Sequence, residues 1–474
     1  MTSYSSAGTA VQAATPVLPA MPHPYWTLER VARALQTGPR TRQALGGVST
    51  DTRTIRRGEV FVALRGESFD AHDFLTSARD AGAAALVVED ATRAVGLGLP
   101  VYVVPDTLVA LGQLANAWRK AWGRTLIAVA GSNGKTSTKE LLKAALQRRL
   151  VVHATTGNLN NRIGVPLTLL AMPSDAELAV IEVGTNTPGE IATLRAICEP
   201  DIAVLTSIGE EHLEGLGDLH GVLREEADVF HDVLLAIVPS VHPEVTALAR
   251  ARAKAVVRAG LSSTDEAPAD FTPTAWGLDN EGRVWLEVEE TRVVLPLRGA
   301  HQAANAMLAV AAARACGVPL ADAAAGMAAM PVPNMRGVWT ELGHAVLIND
   351  AYNANPASMR AALDLLAAVG AGRQRVAILG SMRELGAHAD VQHRAIAQAA
   401  LDSPAELVVG VGAFADALAQ LAPHDARVVM AQELDGLWPL LESRLSRNAV
   451  ILLKASRGMR LERLLPTLTT WATA

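Results

Sequence analysis

The chain has 474 residues, enough for about three domains at roughly 150 residues each. Lysine and arginine total 42 against 48 aspartates and glutamates, a net charge of -6, which argues against a protein held on nucleic acid by phosphate contacts. Hydrophobic residues are 50% and charged residues 19%, so the chain can bury real cores, and no uninterrupted apolar run approaches the ~20 residues of a membrane span.

In chain order, residues 1–24 have neither the basic start nor the apolar core of a signal peptide and are expected to form a disordered tail. Regular structure is expected from Tyr25, where WTLERVARALQTG has the spacing of a short amphipathic helix. GEVFVALRG and AAALVVED alternate with polar turns, as in a small mixed domain ending near Ala121. TLIAVA (Thr125–Ala130), LAVIEV (Leu178–Val183) and IAVLTSI (Ile202–Ile208) are apolar runs separated by helix-length stretches, which predicts parallel strands with crossover helices. LSSTDEAPADFTPTAWG reads as a surface connection, RVWLEVEETRVVLPLRG as strand, and HQAANAMLAVAAARACG as helix. MPVPNMRG has the prolines of an interdomain linker. Beyond it, AVLIND, RVAILG, ELVVGVG and AVILLKAS repeat the α/β rhythm. The two cysteines, Cys198 and Cys316, cannot build a disulfide framework and fit a reducing cytosol.

Chemistry concentrates in AGSNGKTST, between an apolar strand and a helical pattern. The backbone amides of Gly131, Ser132, Asn133, Gly134 and Ser137 at such a loop and helix start can cradle phosphates; Lys135 can neutralise them and the Thr136 hydroxyl can ligate magnesium. The usual G-x-x-x-x-G-K-[ST] spacing would put a glycine at Val129, whereas this chain has Gly131 instead. Only six lysines occur, so one at the phosphate position stands out from background; Lys139 and Lys143 are expected merely to solvate a helix face. Glu182 ends a strand at the edge where open α/β sheets bind ligands, and His212 follows the next strand at the same edge. Both are candidate magnesium ligands.

These motifs, with TTGNLNNRIGVPLTLL, IEVGTNTPGEI, IGEEHLEGLGDL, GAHQAANA, NDAYNANPASM and LKASRGM in that order, resemble the Mur ligases of bacterial cell-wall synthesis, from about Val48 to Arg463. NDAYNANPASM and GTNTPGEI look like the branch of that family that adds a dipeptide. The resemblance implies three α/β domains: a small mixed N-terminal substrate domain (25–121), a central P-loop ATPase with a mostly parallel sheet (122–332), and a C-terminal Rossmann-like domain (333–474). It implies a monomeric cytoplasmic enzyme of peptidoglycan precursor synthesis, using ATP and Mg2+ to join D-alanyl-D-alanine to UDP-N-acetylmuramoyl-tripeptide through an acyl phosphate, with no nucleic-acid or membrane partner. Lys135 and Thr136 match the family's phosphate lysine and magnesium hydroxyl, and Glu182 and His212 match its metal ligands. Asn305 matches the adenine reader, Arg336 an arginine that reaches the terminal phosphate, and Asp350 a carboxylate near the ribose. Asn353, Asn355, Lys454, Ser456 and Arg457 lie in matching C-terminal motifs. Asn158, Asn160 and Asn161 either bind the muramoyl-peptide or shape a turn; Asp51 and Arg53 either contact the UDP end or form a turn salt bridge.

One position departs from the family. Most Mur ligases carry a carbamylated lysine in the helix after the histidine loop, where this chain has Glu226, and no lysine occurs between Lys143 and Lys254. Glu226 is expected to replace the carbamate as a metal ligand; otherwise Glu225, Glu226 and Asp228 form a solvated helix face. Two rival classes remain. A GTP-driven switch would need N-K-x-D, yet the chain has no Asn-Lys pair; a ligase adding a single amino acid, of the folylpolyglutamate synthase kind, is the nearer alternative.

Overall fold

The computed structural model describes residues 25–66 and 68–473; the expected tail, residues 1–24, lies outside them. The chain divides into two compact units, Met1–Ala121 and Trp122–Ala474.

In the first unit, the Thr27 hydroxyl accepts from the Arg30 amide and starts the helix Leu28–Leu35. Its buried residues, Leu28, Val31, Ala32 and Leu35, recur at the helical period that the sequence pattern predicts. The strands β1 (Gly47–Ser49), β2 (Glu59–Val62), β3 (Ala85–Val88) and β4 (Val101–Val103) pair in that order, all parallel.

The second unit carries two six-stranded sheets. The first contains β5 (Thr125–Ala130), β6 (Val152–Ala154), β7 (Leu178–Glu182), β8 (Ile202–Leu205), β9 (Leu235–Pro239) and β10 (Val256–Ala259), in the order β10-β9-β8-β5-β7-β6 and parallel throughout. β7 and β8 are buried along their whole length, as expected of strands covered on both faces. On one face Ile127, Val129, Val180 and Val204 pack with Leu141 and Leu142 of the helix Lys135–Leu146 and with Ala306 and Met307 of the helix His301–Ala315. An antiparallel sheet of β11 (Ala275–Leu278), β12 (Arg283–Val288) and β13 (Thr291–Arg298) adds its inward residues, Val284, Leu286, Val293 and Leu295 among them, to that core.

The other large sheet contains β14 (Val338–Leu342), β15 (Ala345–Asn349), β16 (Arg375–Gly380), β17 (Leu407–Val411), β18 (Val428–Ala431) and β19 (Val450–Lys454), ordered β14-β15-β19-β16-β17-β18, with only β14 antiparallel. Separate apolar cores cover its two faces. Residues 331–337, the expected linker, join the two sheets without helix or strand.

The strands that sequence pattern did not reveal are β1, β4, β6, β9, β10, β11, β14 and β18. All but β9 lie at sheet edges. An edge strand pairs on one side and is partly solvated, so its composition need not be apolar: β14 leaves Thr340 and Glu341 exposed.

Beneath the C-terminal sheet, His393 is buried, accepts the Met382 amide at Nε2 (2.9 Å) and donates from Nδ1 to the Ala389 carbonyl (2.7 Å). Burial lowers its pKa below the ordinary 6.5. The folded state therefore binds fewer protons than the unfolded chain, so this contribution to stability is complete above pH 6.5 and declines as pH falls below it. Melting temperature should drop from pH 7.5 to pH 5.5, and the drop should be shallower in His393→Gln; equal slopes would show that His393 is not the group responsible.

Candidate active site

The loop between β5 and the helix Lys135–Leu146 turns twice through left-handed backbone. Gly131 has φ +115°, and a Cβ there would lie 2.5 Å from the Thr206 hydroxyl; Gly134 has φ +86°, and a Cβ would lie 2.5 Å from Asn305 Oδ1. Only glycine fits either position without displacing a neighbour. Gly134 is the N-cap and supplies no side-chain acceptor, so the first amides of the helix remain open to an anion. The segment after β8 clamps the loop: Ser132 N donates to Ser207 O (2.8 Å), Asn133 N to Ser207 Oγ (3.0 Å) and Gly209 N to Ser132 Oγ (2.9 Å).

Lys135 curls back over this loop. Its Nζ donates to Gly131 O and Ser132 O and lies 3.4 Å from Glu211 and 4.0 Å from Glu226. Burial alone would lower its pKa, but the charges of Glu211, Glu226 and Glu182 outweigh that and raise it, so the ammonium stays protonated. At the end of β7, Glu182 Oε1 accepts from Thr136 Oγ1 (3.2 Å) and Asn160 Nδ2 (2.9 Å), while Oε2 is buried without a partner.

Ser132, Asn133, Gly134, Lys135, Thr136, Glu182 and His212 line one cavity of about 320 Å³, together with Asn158, Asn160, Asn161, Arg336, Asp350, Asn353 and Lys454. A second cavity, of about 370 Å³, shares Asn133, Gly134, Arg336, Asp350 and Lys454 with the first and adds Ser137, His301, Gln302 and Asn305. Asn305 is buried in mid-helix, where its Nδ2 donates to Gln302 Oε1 at 3.0 Å. Lys454 pairs with Asp350 at 2.7 Å, and the Arg336 guanidinium lies 4.3 Å from the centre of the Tyr352 ring. Two cavities that share lining residues, one of them at the open helix amides and Lys135, suit a ligand with an anionic part at the loop.

Several expected residues lie elsewhere. Glu226 is not among the residues that line the cavity: it is fully buried beneath the loop, its Oε2 accepts the Gly131 amide at 2.7 Å, its Oε1 has no hydrogen-bond partner, and burial pushes its pKa up to about 7. One oxygen of Glu226 thus anchors the loop, and Glu225 does not belong to a solvated face either: it is buried and accepts the Gly189 and Ile191 amides at the start of the helix Glu190–Cys198, while the partly buried Asp228 pairs with Arg252 at 3.0 Å. Ser456 is buried and accepts the Arg383 amide, while Arg457 is exposed and pairs with Glu462. Asn355 caps the helix Pro356–Val369 and donates from Nδ2 to Asn133 Oδ1 at 2.9 Å, touching the loop from outside. In the first unit, Arg53 forms a salt bridge with Asp51 (2.6 Å), which holds that carboxyl down to about 2, and both line a cavity of about 460 Å³ with Phe61, Phe69 and Phe74. Lys139 corrects a second expectation. It is fully buried, donating to Thr155 O (2.8 Å) and pairing with Glu140 (2.7 Å), while Thr155 Oγ1 accepts the Glu182 amide (2.9 Å). It ties the loop helix to the strand that carries Glu182, which periodicity alone could not reveal. Glu211 was missed as well, since one acid among three in IGEEHLEG carries no distinguishing signal.

The sheet order, the loop at its switch point and the glycine-dependent turns define an α/β P-loop nucleotide-binding protein. Three stretches match models of one family: the Mur ligase family catalytic domain at residues 45–119, the Mur ligase middle domain at 129–313, and the Mur ligase glutamate ligase domain at 335–457. The UDP-N-acetylmuramoyl-tripeptide--D-alanyl-D-alanine ligase of Bacillus subtilis (strain 168) is 34% identical over 428 residues, covering 89% of this chain and 93% of its own. A MurF crystal structure from Acinetobacter baumannii superposes with a TM-score of 0.86 at 30% identity, covering 96% of this chain and all (100%) of that one. A MurF ligase structure from Thermotoga maritima in complex with ADP gives 0.79 at 25% identity, over 90% of this chain and 98% of that one. The chain belongs to the Mur ligase family.

Replacing Lys135 with alanine should weaken ATP binding by about tenfold or more, the share of a charge-assisted hydrogen bond to phosphate. Circular dichroism should be unchanged, because the raised pKa values of Glu211 and Glu226 let them take up protons when the cation is gone. Calorimetric affinity within threefold of wild type would remove Lys135 from the phosphate site.

Proposed function

We infer that the protein is an ATP-dependent ligase that joins D-alanyl-D-alanine to UDP-N-acetylmuramoyl-tripeptide, a step in building the peptidoglycan precursor. The observation that carries this reading is one cavity lined both by a phosphate loop with Lys135 and by Arg336 and Lys454, cations that reach it from outside the P-loop sheet. Relatives of the same name match the chain nearly end to end.

The chemistry starts from a poor electrophile. A carboxylate does not accept an amine at neutral pH, so the γ-phosphoryl of ATP is first moved to the terminal carboxylate of the tripeptide, giving an acyl phosphate. The amine of the dipeptide then attacks the carbonyl carbon, and the tetrahedral oxyanion collapses with loss of phosphate. Both steps gather negative charge, which Lys135 and Arg336, two cations of the cavity wall, offset. The open amides that follow Gly134 hold the phosphates in line. Asn305, in the second cavity, reads the base, and Asp350, which lines both cavities, sits near the ribose. Asn158, Asn160 and Asn161 orient the peptide, with Asn160 fixed by its bond to Glu182.

Magnesium fits beside the loop. The unpartnered Glu182 Oε2, the Thr136 hydroxyl and His212 would hold it, and bound there it would neutralise phosphate charge. Glu226 acts from below, restraining Gly131. The cavity at Asp51 and Arg53, walled by Phe61, Phe69 and Phe74, takes the UDP end of the sugar-nucleotide. No described helix is long and apolar enough to cross a membrane; a monomer at work in the cytoplasm completes the reading.

With ATP, magnesium and UDP-N-acetylmuramoyl-tripeptide present, D-alanyl-D-alanine should stimulate phosphate release and appear in the product by mass spectrometry. Stimulation by a single amino acid instead would assign the chain to the other branch of the family.

A further inference from the structure

His212 lines the phosphate cavity, yet the loop that carries it is embedded in the C-terminal part of the unit. Leu213 and Leu216, the next apolar residues, belong to the same buried cluster as Met382 and Leu385 after β16. Glu214 N donates to Glu384 O at 3.2 Å, and Gln392 Nε2 donates to Glu210 Oε1 at 3.1 Å. A Cβ on Gly386 would lie 3.1 Å from Glu214 Cα, so the two backbones are in close approach. At the centre of this contact the imidazole Nδ1 of His212 lies 2.5 Å from Glu384 Oε2.

The two partners share an uncommon conformation. His212 has φ +51° and Glu384 has φ +64°, both in the left-handed region that residues with a Cβ adopt at a cost of about 1 kcal/mol or more. Strain of this kind persists only where surrounding contacts over-determine it, and here it occurs on both sides of one hydrogen bond. A carboxylate oxygen only accepts, so Nδ1 carries the proton. In the neutral ring the lone pair then belongs to Nε2, which lies 3.7 Å from Glu211 Oε2, another residue of the cavity wall.

We propose that Glu384 is a positioning residue for the reaction, reaching from the C-terminal domain to fix the tautomer and direction of His212 so that its Nε2 lone pair faces the phosphate cavity. It touches neither the cavity nor a reacting group, and it acts through His212 alone. Because Glu384 and the P-loop lie on different sheets, the histidine is correctly set only while the C-terminal domain is docked on the 210–216 loop. Docking and completion of the phosphate site thus become one event. The proposal rests on the ligase reading for its kinetic consequence and on the hydrogen bond alone for its structural one.

The test separates these two. In protein labelled with 15N-histidine, the His212 signal, identified by its loss in His212→Gln, should show the Nδ1–H tautomer in wild type. Glu384→Ala should shift it to the Nε2–H form that free imidazoles prefer, and Glu384→Gln, which keeps a carbonyl acceptor, should retain Nδ1–H. In the ligase assay, Glu384→Ala should lower kcat by about 10–100-fold with KM for ATP and for the dipeptide within threefold, and Glu384→Gln should recover most of the loss. An Nδ1–H signal that survives in Glu384→Ala, or equal impairment of the alanine and glutamine variants, would overturn the role. If wild type fails to use D-alanyl-D-alanine at all, the ligase reading falls, while the tautomer measurement still decides whether Glu384 sets the histidine.

Discussion

One ammonium group faces three buried or nearly buried carboxylates, and much of the centre follows from that imbalance. Lys135 is surrounded by Glu182, Glu211 and Glu226, whose combined charge keeps it protonated against the cost of burial. Burial also acts on the acids, raising the pKa of Glu211 and Glu226, and the nearby Glu211 charge adds to the rise at Glu226. Each acid is also tied to the phosphate loop or its helix: Glu226 through the Gly131 amide, Glu182 through the Thr136 hydroxyl, Glu211 through Lys135 itself. The same charges that retain the lysine therefore hold the loop in shape. The carbonyls of Gly131 and Ser132 that Lys135 touches are neutral acceptors, weaker partners for an ammonium than a charged oxygen.

A second constraint links this centre to the far sheet. Asn355 bonds Asn133 in the loop, Arg336 and Lys454 line the cavity, and the 210–216 segment contributes leucines to the C-terminal core. The phosphate loop is thus built on one sheet and completed from another. Enzymes that make reactive acyl phosphates benefit from such an arrangement, because assembling the site and excluding water become the same movement.

The residues that sequence made legible are those whose chemistry is local. Gly134, Lys135 and Thr136 are neighbours on one strand–loop–helix turn, so their relation needs only the backbone rules of that turn; the Gly131 amide, expected to face phosphate, donates instead to Glu226. Glu182 was legible because a parallel sheet brings strand ends to one edge whatever the rest of the chain does. Lys139 was misjudged for the opposite reason. A charged residue on a helix reads as solvated until it is known what covers the helix, and here the Thr155 carbonyl supplies a buried partner.

Periodicity determined an α/β chain with buried parallel strands, the AGSNGKTST segment placed a P-loop after one of them, and the ordered motifs identified the family. The fully buried strands were visible because burial on both faces demands apolar residues throughout; most of the strands that escaped notice are edge strands, which face no such demand. Only the tertiary structure decided which polar side chains meet. The bonds from Glu384 to His212, Glu226 to Gly131 and Asn355 to Asn133 span 172, 95 and 222 residues of chain. No local pattern records such pairings, because a side chain's partner across so long a loop is set by how the sheets and helices pack, not by the residues on either side of it.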